Sequence, residues 1–209
     1  MILVWAVILG LITGLLRALY NRVPPLVPQF RFGWLVIVAA VPQILVFQTP
    51  TIGRFFSDWQ AAFILSFTQT LLLVFAIKNW SISGVKPLTI GLLLNLLVIV
   101  LNGGFMPIRP EAVLDLVPQA TAEMITIGQR LGTGKDIILP LNDTVLWWLS
   151  DYFLFPHWMP YRVAYSLGDV LIACGAWRIL WRIGDLSSNS ASSSTSEGST
   201  KRSLSADFR

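Results

Sequence analysis

Five apolar stretches divide the chain, and each is close to the length of a helix that crosses a lipid bilayer. Short segments separate them, except that residues 102–162 lie between the fourth and the fifth. A transmembrane helix needs roughly 20 mostly apolar residues, with a range of about 17 to 25. The pattern therefore predicts five transmembrane helices, at Met1–Leu16 with an extension to Tyr20, Phe32–Phe47, Trp59–Ile77, Leu88–Leu101 and Val163–Leu180. The second stretch contains Pro42, which predicts a kink.

The composition also indicates a membrane protein. The 209 residues are 55% hydrophobic and 12% charged, with a mean hydropathy of +0.67. Soluble domains contain about 25% charged residues. The expected fold class is all-α, a polytopic helical bundle over residues 1–182 that includes a structured outer loop, residues 102–162. Residues 183–209 are rich in Ser and are predicted to form a disordered cytoplasmic tail, because they have little apolar surface to bury.

Charge predicts the orientation of the bundle. The net charge is +4, and Lys and Arg concentrate in the first and third loops and after the fifth apolar stretch. Cytoplasmic loops carry the excess of Lys and Arg, so the N-terminus is predicted outside and the C-terminus in the cytoplasm. No basic residue precedes the first stretch, whereas Arg17 and Arg22 follow it, which favours an uncleaved helix over a signal peptide. The basic residues form no stripe, so we expect no nucleic-acid partner.

The outer loop is predicted to have structure of its own. Pro110–Val117 is typical of a short helix with Pro at its start. Ala120–Leu131 is predicted as an amphipathic helix, and the aromatic-rich Thr144–Phe155 as an interfacial helix on the outer leaflet. A long structured loop is often functional, and the alternative is a lid that only caps the bundle.

A carboxylate inside the fifth stretch is the strongest candidate for function. A charged group within a membrane helix is costly and usually faces the bundle interior with a partner. Asp169 has Ser166 three residues earlier, and Asn95 and Asn102 share one face of the fourth stretch. We predict a polar network that links Asp169 with Asn102 and Asn95. It is either an ion, proton or substrate site, or a polar clasp that fixes helix packing, and we favour the clasp. Further polar atoms come from Gln43 and Gln69.

The stretch LNGGFMPIRP, residues 101–110, is predicted to end the fourth helix. Gly103 or Gly104 supplies a left-handed cap, and Pro107 prevents the helix from continuing. Asn102 is not needed for a helix stop. We therefore expect the glycines to bring the backbone close to the fifth helix, so that Asn102 reaches Ser166 or Asp169.

Other chemistry receives little support from the sequence. There is one cysteine, Cys174, and one histidine, His157, whereas a Cys/His metal site normally needs three or four ligands. No metal or cofactor is expected. His157 with Asp151 or Asp143 is a weaker candidate for a general-base pair. The stretch GQRLGTGKD lacks the spacing of a phosphate-binding loop, so it does not indicate nucleotide binding.

Two segments together resemble a known family. They are IGLLLNLLVIVLNGGFMPI, residues 90–108, and YSLGDVLIACG, residues 165–175, and they follow two helices joined by an arginine-rich loop. The chain over residues 1–182 resembles a family of small bacterial integral-membrane proteins of unknown function. The positions that carry NGG-MP and S-GD signatures are Asn102, Gly103, Gly104, Met106, Pro107, Ser166, Gly168 and Asp169. An acidic LGD-like segment of that family corresponds to Leu141–Asp143, where Asn142 replaces the glycine. The resemblance implies a bacterial plasma membrane and no particular activity.

Three functions follow as hypotheses. The first is an accessory, assembly or scaffold subunit without catalytic activity of its own, whose partners are the lipid bilayer and a membrane protein complex. The second is a small transporter, or an ion- or proton-handling protein, that uses Asp169 and Asn102. The third is a lipid-active enzyme at the outer leaflet that uses His157 and loop carboxylates. The sequence names no small-molecule ligand.

Overall fold

Helices dominate the part of the chain that this computed structural model describes, which is residues 2–22, 24, 25, 28–156, 159 and 162–184. The longer helices are α1 (Ile2–Tyr20), α2 (Trp34–Gln43), α4 (Asp58–Lys78), α5 (Val85–Leu101) and α7 (Leu167–Trp181). Two short helices are α3 (Pro50–Gly53) and α6 (Pro110–Leu116). The longer helices pack in the order α1, α7, α5, α4, α2, which makes a row with α1 and α2 at its ends. The predicted all-α character is therefore confirmed at the level of a mostly helical fold.

The five longer helices alternate in direction in sequence order, whereas in the row the neighbours α1 and α7 are parallel, since Gly10 contacts Trp177 and Gly14 contacts Trp181. Gly84 contacts α7 near Gly175, and Gly91 contacts it near Gly168, so α5 and α7 are antiparallel. One end of the bundle is covered by the described residues between α5 and α7, and we call it the loop end. The first residues of α1, α4 and α7 and the last residues of α2 and α5 lie there.

Glycines bring α7 close to both of its neighbours. A Cβ atom added to Gly14 of α1 would collide with the Leu180 carbonyl oxygen, and one added to Gly91 of α5 would collide with that of Gly168. Small residues allow two helix backbones to approach, and the contact is stabilised by van der Waals packing. The position of the start of α7 against α5 is therefore set by glycine.

Pro42 lies inside α2, and the turn that follows, Ile44–Gln48, is a π-helix. Proline lacks the N–H that a regular helix would use and clashes with the preceding turn. The kink predicted at Pro42 stays a prediction. Gln43 donates a hydrogen bond from Nε2 to Thr68 Oγ1 at 2.8 Å, which ties the end of α2 to α4.

Two of the five predicted spans reach the length of a bilayer crossing in the structure. α1 and α4 are long and apolar enough to cross a membrane by length and composition. The apolar segments Trp34–Gln48 and Val85–Leu101 are shorter, and α7 has 15 residues. The last helix starts later than predicted, because residues 164 and 165 form a strand.

The outer loop contains less helix than predicted. The helix expected at Pro110–Val117 is confirmed as α6. The helices expected at Ala120–Leu131 and Thr144–Phe155 are wrong, since the structure has single 3-10 turns there, at Ala122–Met124 and Trp147–Leu149. Two small sheets replace them. Strand β1 (Met106–Ile108) pairs in parallel with β2 (Asp136–Ile138), and β3 (Phe153–Leu154) pairs antiparallel with β4 (Ala164–Tyr165).

The backbone partners of the loop explain this difference. Gly128 N donates to Ile138 O and Leu131 N donates to Asp136 O, so β2 takes the N–H groups that a helix would use. Asp151 N donates to Pro107 O of β1. Long-range pairing has therefore overridden the local helical pattern.

The described structure continues two residues past the predicted end of the bundle at residue 182. A 3-10 turn, Arg182–Gly184, continues from α7, and Ile183 and Gly184 are buried. Gly184 packs against Ala18 of α1. The disordered tail is predicted at residues 183–209, and from residue 185 on it lies outside the described residues.

Candidate functional site

A closed set of hydrogen bonds joins α5 to the start of α7. Asn95 donates from Nδ2 to Asp169 Oδ1 at 2.8 Å, and Ser166 donates from Oγ to Asn95 Oδ1 at 3.0 Å. The main chain completes it, because Asp169 N donates to Ser166 Oγ at 3.0 Å and Ser166 N donates to Asp169 Oδ2 at 3.3 Å. Asn95 and Ser166 thus each use a side-chain donor and a side-chain acceptor, and Asp169 accepts at both carboxylate oxygens.

The same residues form a helix cap. Ser166 is the N-cap of α7, and Asp169 occupies the third position of the helix, so the two make a reciprocal capping box. Caps satisfy backbone N–H groups that have no partner in the first turn. A negative charge in the first turn is also favoured by the helix dipole. Gly168 leaves room for the Asn95 side chain, whose oxygen lies where a Cβ would be.

Asn102 has a different role from the one predicted. It donates from Nδ2 to Val98 O at 2.8 Å and to Val145 O at 2.9 Å, and it accepts at Oδ1 from Val145 N at 2.9 Å. The expectation that it reaches Ser166 or Asp169 is wrong. Asn95 makes that contact instead, because α7 begins opposite Asn95, two turns before the end of α5.

The glycines of LNGGFMPIRP also turn toward another helix. Gly103 and Gly104 both have positive φ, at 81° and 89°, so the predicted left-handed cap extends over two residues. Gly104 N donates to Ile99 O at 2.8 Å, which closes the end of α5. Gly104 packs against Ala62 of α4, not against α7 as expected.

The rest of that stretch builds a second polar group. Met106 and Pro107 are buried in β1. Met106 N donates to Lys135 O at 3.0 Å, and Pro107 O accepts from Asp151 N at 3.2 Å. Strand β1 thereby holds Lys135 and Asp151 beside each other, although they are distant in sequence.

Lys135 lies between two carboxylates. Its Nζ is 2.6 Å from Asp151 Oδ2 and 3.2 Å from Asp136 Oδ1. Asp151 is buried, with 2% of its surface exposed. Lys135 keeps 39% of its side-chain surface accessible.

The charges in this group alter one another's pKa. Burial raises the pKa of the Asp151 carboxyl to about 7; Lys135 opposes the rise, whereas the charges of Asp136 and Asp169 add to it. For Lys135, burial lowers the pKa of the ammonium, but attraction to Asp136, Asp151 and Asp169 outweighs it, and the pKa is raised. Asn95, Asp169, Lys135, Asp136 and Asp151 all line the same cavity, and together we call them the polar site.

This polar site lies at one end of a cavity of about 570 Å³. The bundle interior below it is apolar, with lining from α4, α5 and α7 that includes Leu72, Leu88 and Ile172. The end helices of the row also reach the cavity, α1 through Ile2 and α2 through Gln43. The row of helices is therefore curved around the cavity, which lies between the helices and the outer loop.

Three buried acceptor atoms of the lining make no hydrogen bond among the described residues, and these are Gln69 Oε1, Asp136 Oδ1 and Asp151 Oδ1. Asp136 Oδ1 lies 3.2 Å from the Lys135 ammonium, so Gln69 Oε1 and Asp151 Oδ1 are the two atoms that a further donor would satisfy. A buried acceptor without a partner costs free energy. Gln69 and Asp151 line the same cavity, so a hydrogen-bond donor bound there would satisfy buried acceptors, as expected of a ligand site.

Sequence reasoning missed Lys135 and Asp136 and assigned Asp151 a different partner. Asp151 was paired with His157, which lies outside the described residues. A signal was present in TVLWWLSDYFLF, where one carboxylate stands among aromatic residues. Its partner Lys135 could not be identified, because only the pairing of β1 and β2 brings the two together. In the described part of the chain, no group of three or more His, Cys, Asp or Glu residues is arranged to hold a metal ion.

Comparison with known proteins identifies a family whose function is unknown. The model of a family of unknown function, DUF5317, matches residues 28–181. The match includes the polar site and leaves α1 outside. No curated protein and no solved structure matches the chain. The NGG-MP and S-GD signatures stay predictions.

Proposed function

The chain belongs to the DUF5317 family of unknown function, and from the geometry we propose that it is an integral membrane protein that binds a small amphiphilic molecule between its helices and its outer loop. One observation carries this proposal. A half-enclosed cavity of about 570 Å³ has an apolar interior and a charged end with unpartnered acceptors. Ligand pockets of about 300–1,000 Å³ are mostly apolar, with a few convergent polar groups.

The dimensions of the cavity suit a short alkyl chain. Asn95 and Leu88 both line it, and they lie seven positions apart on α5. At 1.5 Å per residue, that separation is about 10 Å along the helix axis. An extended chain of eight carbon atoms has a similar length. The head group would lie beside Asp151 and Asp169.

A membrane location follows in this proposal from the helices and the charges. α1 and α4 have the length and composition of bilayer-crossing helices. The other helices of the row run beside them, and we propose that all five cross the plasma membrane of a bacterium. The excess of Lys and Arg at the end opposite the loop end then puts the N-terminus outside and the C-terminus in the cytoplasm.

Access from the bilayer is proposed between α1 and α2. These helices stand at the two ends of the row, where α1 packs on α7 and α2 packs on α4. Both line the cavity, through Ile2 and Leu3 of α1 and through Val36 and Gln43 of α2. A molecule in the outer half of the bilayer would enter sideways, with its chain among apolar residues throughout.

This proposal develops the transport and ion-handling hypothesis, with Asn95 in the role that is predicted above for Asn102. The accessory-subunit hypothesis and the lipid-active enzyme hypothesis stay predictions. The polar clasp is part of the proposed site, since Asp169 both fixes α7 and influences the charges at the cavity.

Filling the cavity is expected to abolish binding. Leu72→Trp places an indole in the apolar part of the cavity, since Leu72 lies in the lining. We expect labelling by 1-octanol that carries a diazirine at its chain end to fall about tenfold, equivalent to roughly 1.4 kcal/mol. The measurement is photolabelling of the purified full-length protein in lipid nanodiscs, with labelled peptides assigned by mass spectrometry.

The matched control is Leu93→Trp, because Leu93 is 51% exposed on the outside of α5. In the unsubstituted protein, labels should concentrate on the lining residues of α4, α5 and α7. Labels spread over the outward faces of the helices, with equal labelling in both variants, would refute an amphiphile site.

A further inference from the structure

We propose that the ligand carries an ammonium head group, so that the cavity takes an organic amine with an apolar body. This inference rests on the proposed function and adds the chemical class of the ligand. Two kinds of observation support it: the hydrogen-bonding character of the free atoms and the balance of charge around them.

The unpartnered acceptor atoms of the cavity favour a ligand that donates hydrogen bonds. Gln69 Oε1 and Asp151 Oδ1 are acceptors without partners, and Asp151 is 2% exposed. An ammonium group has three donors and no acceptor. An anionic head such as a sulfate or a carboxylate would bring further acceptors to the same place and leave all of these atoms unpaired.

The charge around the cavity is negative on balance. Among the described residues, the charged lining has three carboxylates, Asp136, Asp151 and Asp169, and two cations, Lys135 and Arg162. Arg162 is exposed and donates from Nη1 to Asp115 O at 2.8 Å. A monovalent cation at this place would bring the charged lining to neutrality, and a buried cation needs such pairing.

Lys135 already shows how the site holds an ammonium group. Its Nζ sits 2.6 Å from one oxygen of Asp151, and the other oxygen of that carboxylate is free. A carboxylate can accept hydrogen bonds at both oxygens. A second ammonium on Asp151 Oδ1, with Gln69 as a further acceptor, would make Asp151 a bridge between the protein's amine and the ligand's amine.

Two sources could supply such a head group. A free alkylamine and an aminophospholipid share the same chemistry, which is a primary ammonium on an apolar body. Phosphatidylethanolamine in the nanodisc lipid tests the second source, and phosphatidylcholine, which has a methylated head without N–H donors, is its control.

The preference for ammonium is expected to depend on pH. Asp151 is surrounded by Lys135, Asp136 and Asp169, with Arg162 and Tyr165 also in the lining. Its pKa is raised to about 7, so its charge is largely lost at pH 6 and present at pH 8. An alkylammonium stays charged over that interval. Ammonium binding should therefore strengthen as the pH rises from 6 to 8, whereas 1-octanol binding should stay constant.

The test is competition against the octanol photolabel in nanodiscs. At pH 8, octylammonium should displace the label at a concentration about tenfold below the concentration of 1-octanol that does so. Octyl sulfate should require a higher concentration than either of them. Asp151→Asn should remove both the ammonium preference and its pH dependence, whereas Asp143→Asn, at an exposed loop carboxylate, should keep both. Since Asp151→Asn leaves Lys135 with one partner fewer, Gln69→Leu serves as a second variant, with an expected loss of about threefold in ammonium preference.

The outcomes separate the two proposals. Label in the cavity with equal competition by all three head groups, or an unchanged preference in Asp151→Asn, would overturn the ammonium inference alone. No label in the cavity would overturn the proposed function as well. Reduced labelling in phosphatidylethanolamine nanodiscs assigns the site to an aminophospholipid, and unchanged labelling there, with octylammonium still preferred, assigns it to free amines.

Discussion

Replacing Gly91 by alanine is expected to push α5 and α7 apart and to destabilise the protein by about 3 kcal/mol. The new Cβ would collide with the Gly168 carbonyl oxygen, and backbone atoms cannot move away as a side chain can. Alanine stabilises a helix by about 1 kcal/mol relative to glycine. The expected loss of stability is therefore a net value, from which this gain has already been subtracted. The displacement would also break the Asn95–Asp169 hydrogen bond, since Asn95 is one turn from Gly91.

Thermal unfolding in detergent, followed by circular dichroism, measures this effect. Gly33→Ala is the matched control, because a Cβ at Gly33 has nothing within 4 Å and its φ is −55°. A Gly91→Ala protein as stable as the Gly33→Ala protein would show that α5 and α7 are not packed as described.

Asp169→Asn is expected to destabilise the protein by roughly 1–3 kcal/mol. An amide at position 169 can accept from only one of the two donors that Asp169 now satisfies, Asn95 Nδ2 and Ser166 N. The other donor would face an NH₂ group and lose its partner. Ligand binding should weaken too, because the negative charge that Asp169 contributes at the polar site disappears.

The double variant Asn95→Asp with Asp169→Asn is designed to restore the network. The new amide at 169 donates to the new carboxylate at 95 and accepts from Ser166 N, while Ser166 Oγ still donates to position 95. Charge is conserved as well. We expect the double variant to recover most of the lost stability, measured as a coupling free energy in a double-mutant cycle. A loss of stability in the double variant equal to the sum of the two single-variant losses would contradict the closed network.

Helical periodicity was sufficient to predict the five longer helices and to place Asn95 and Asn102 toward the end of the fourth, since it depends on local spacing. It could not say which of the two asparagines meets Asp169. That depends on where α7 begins relative to α5, which the glycine contacts determine.

The polar site could not be predicted from local sequence patterns. Its centre depends on β1 pairing with β2 in parallel, with three residues in each strand. Strands this short show almost no alternating pattern, and parallel strands need a long connection. The motif around Gly104 and Pro107 was therefore interpreted as a helix stop, whereas it also positions Lys135 and Asp151 over the cavity.

The central claim is that an amine enters the cavity with its chain among the helices and its head at Asp151. A crystal structure of the full-length protein with 8-bromooctylammonium tests it most directly, because anomalous scattering locates the bromine. The account predicts a bromine peak beside Leu72 and Leu88, with the ammonium within hydrogen-bond distance of Asp151 Oδ1. Bromine peaks confined to the outer faces of the helices, with the cavity filled by water alone, would contradict it.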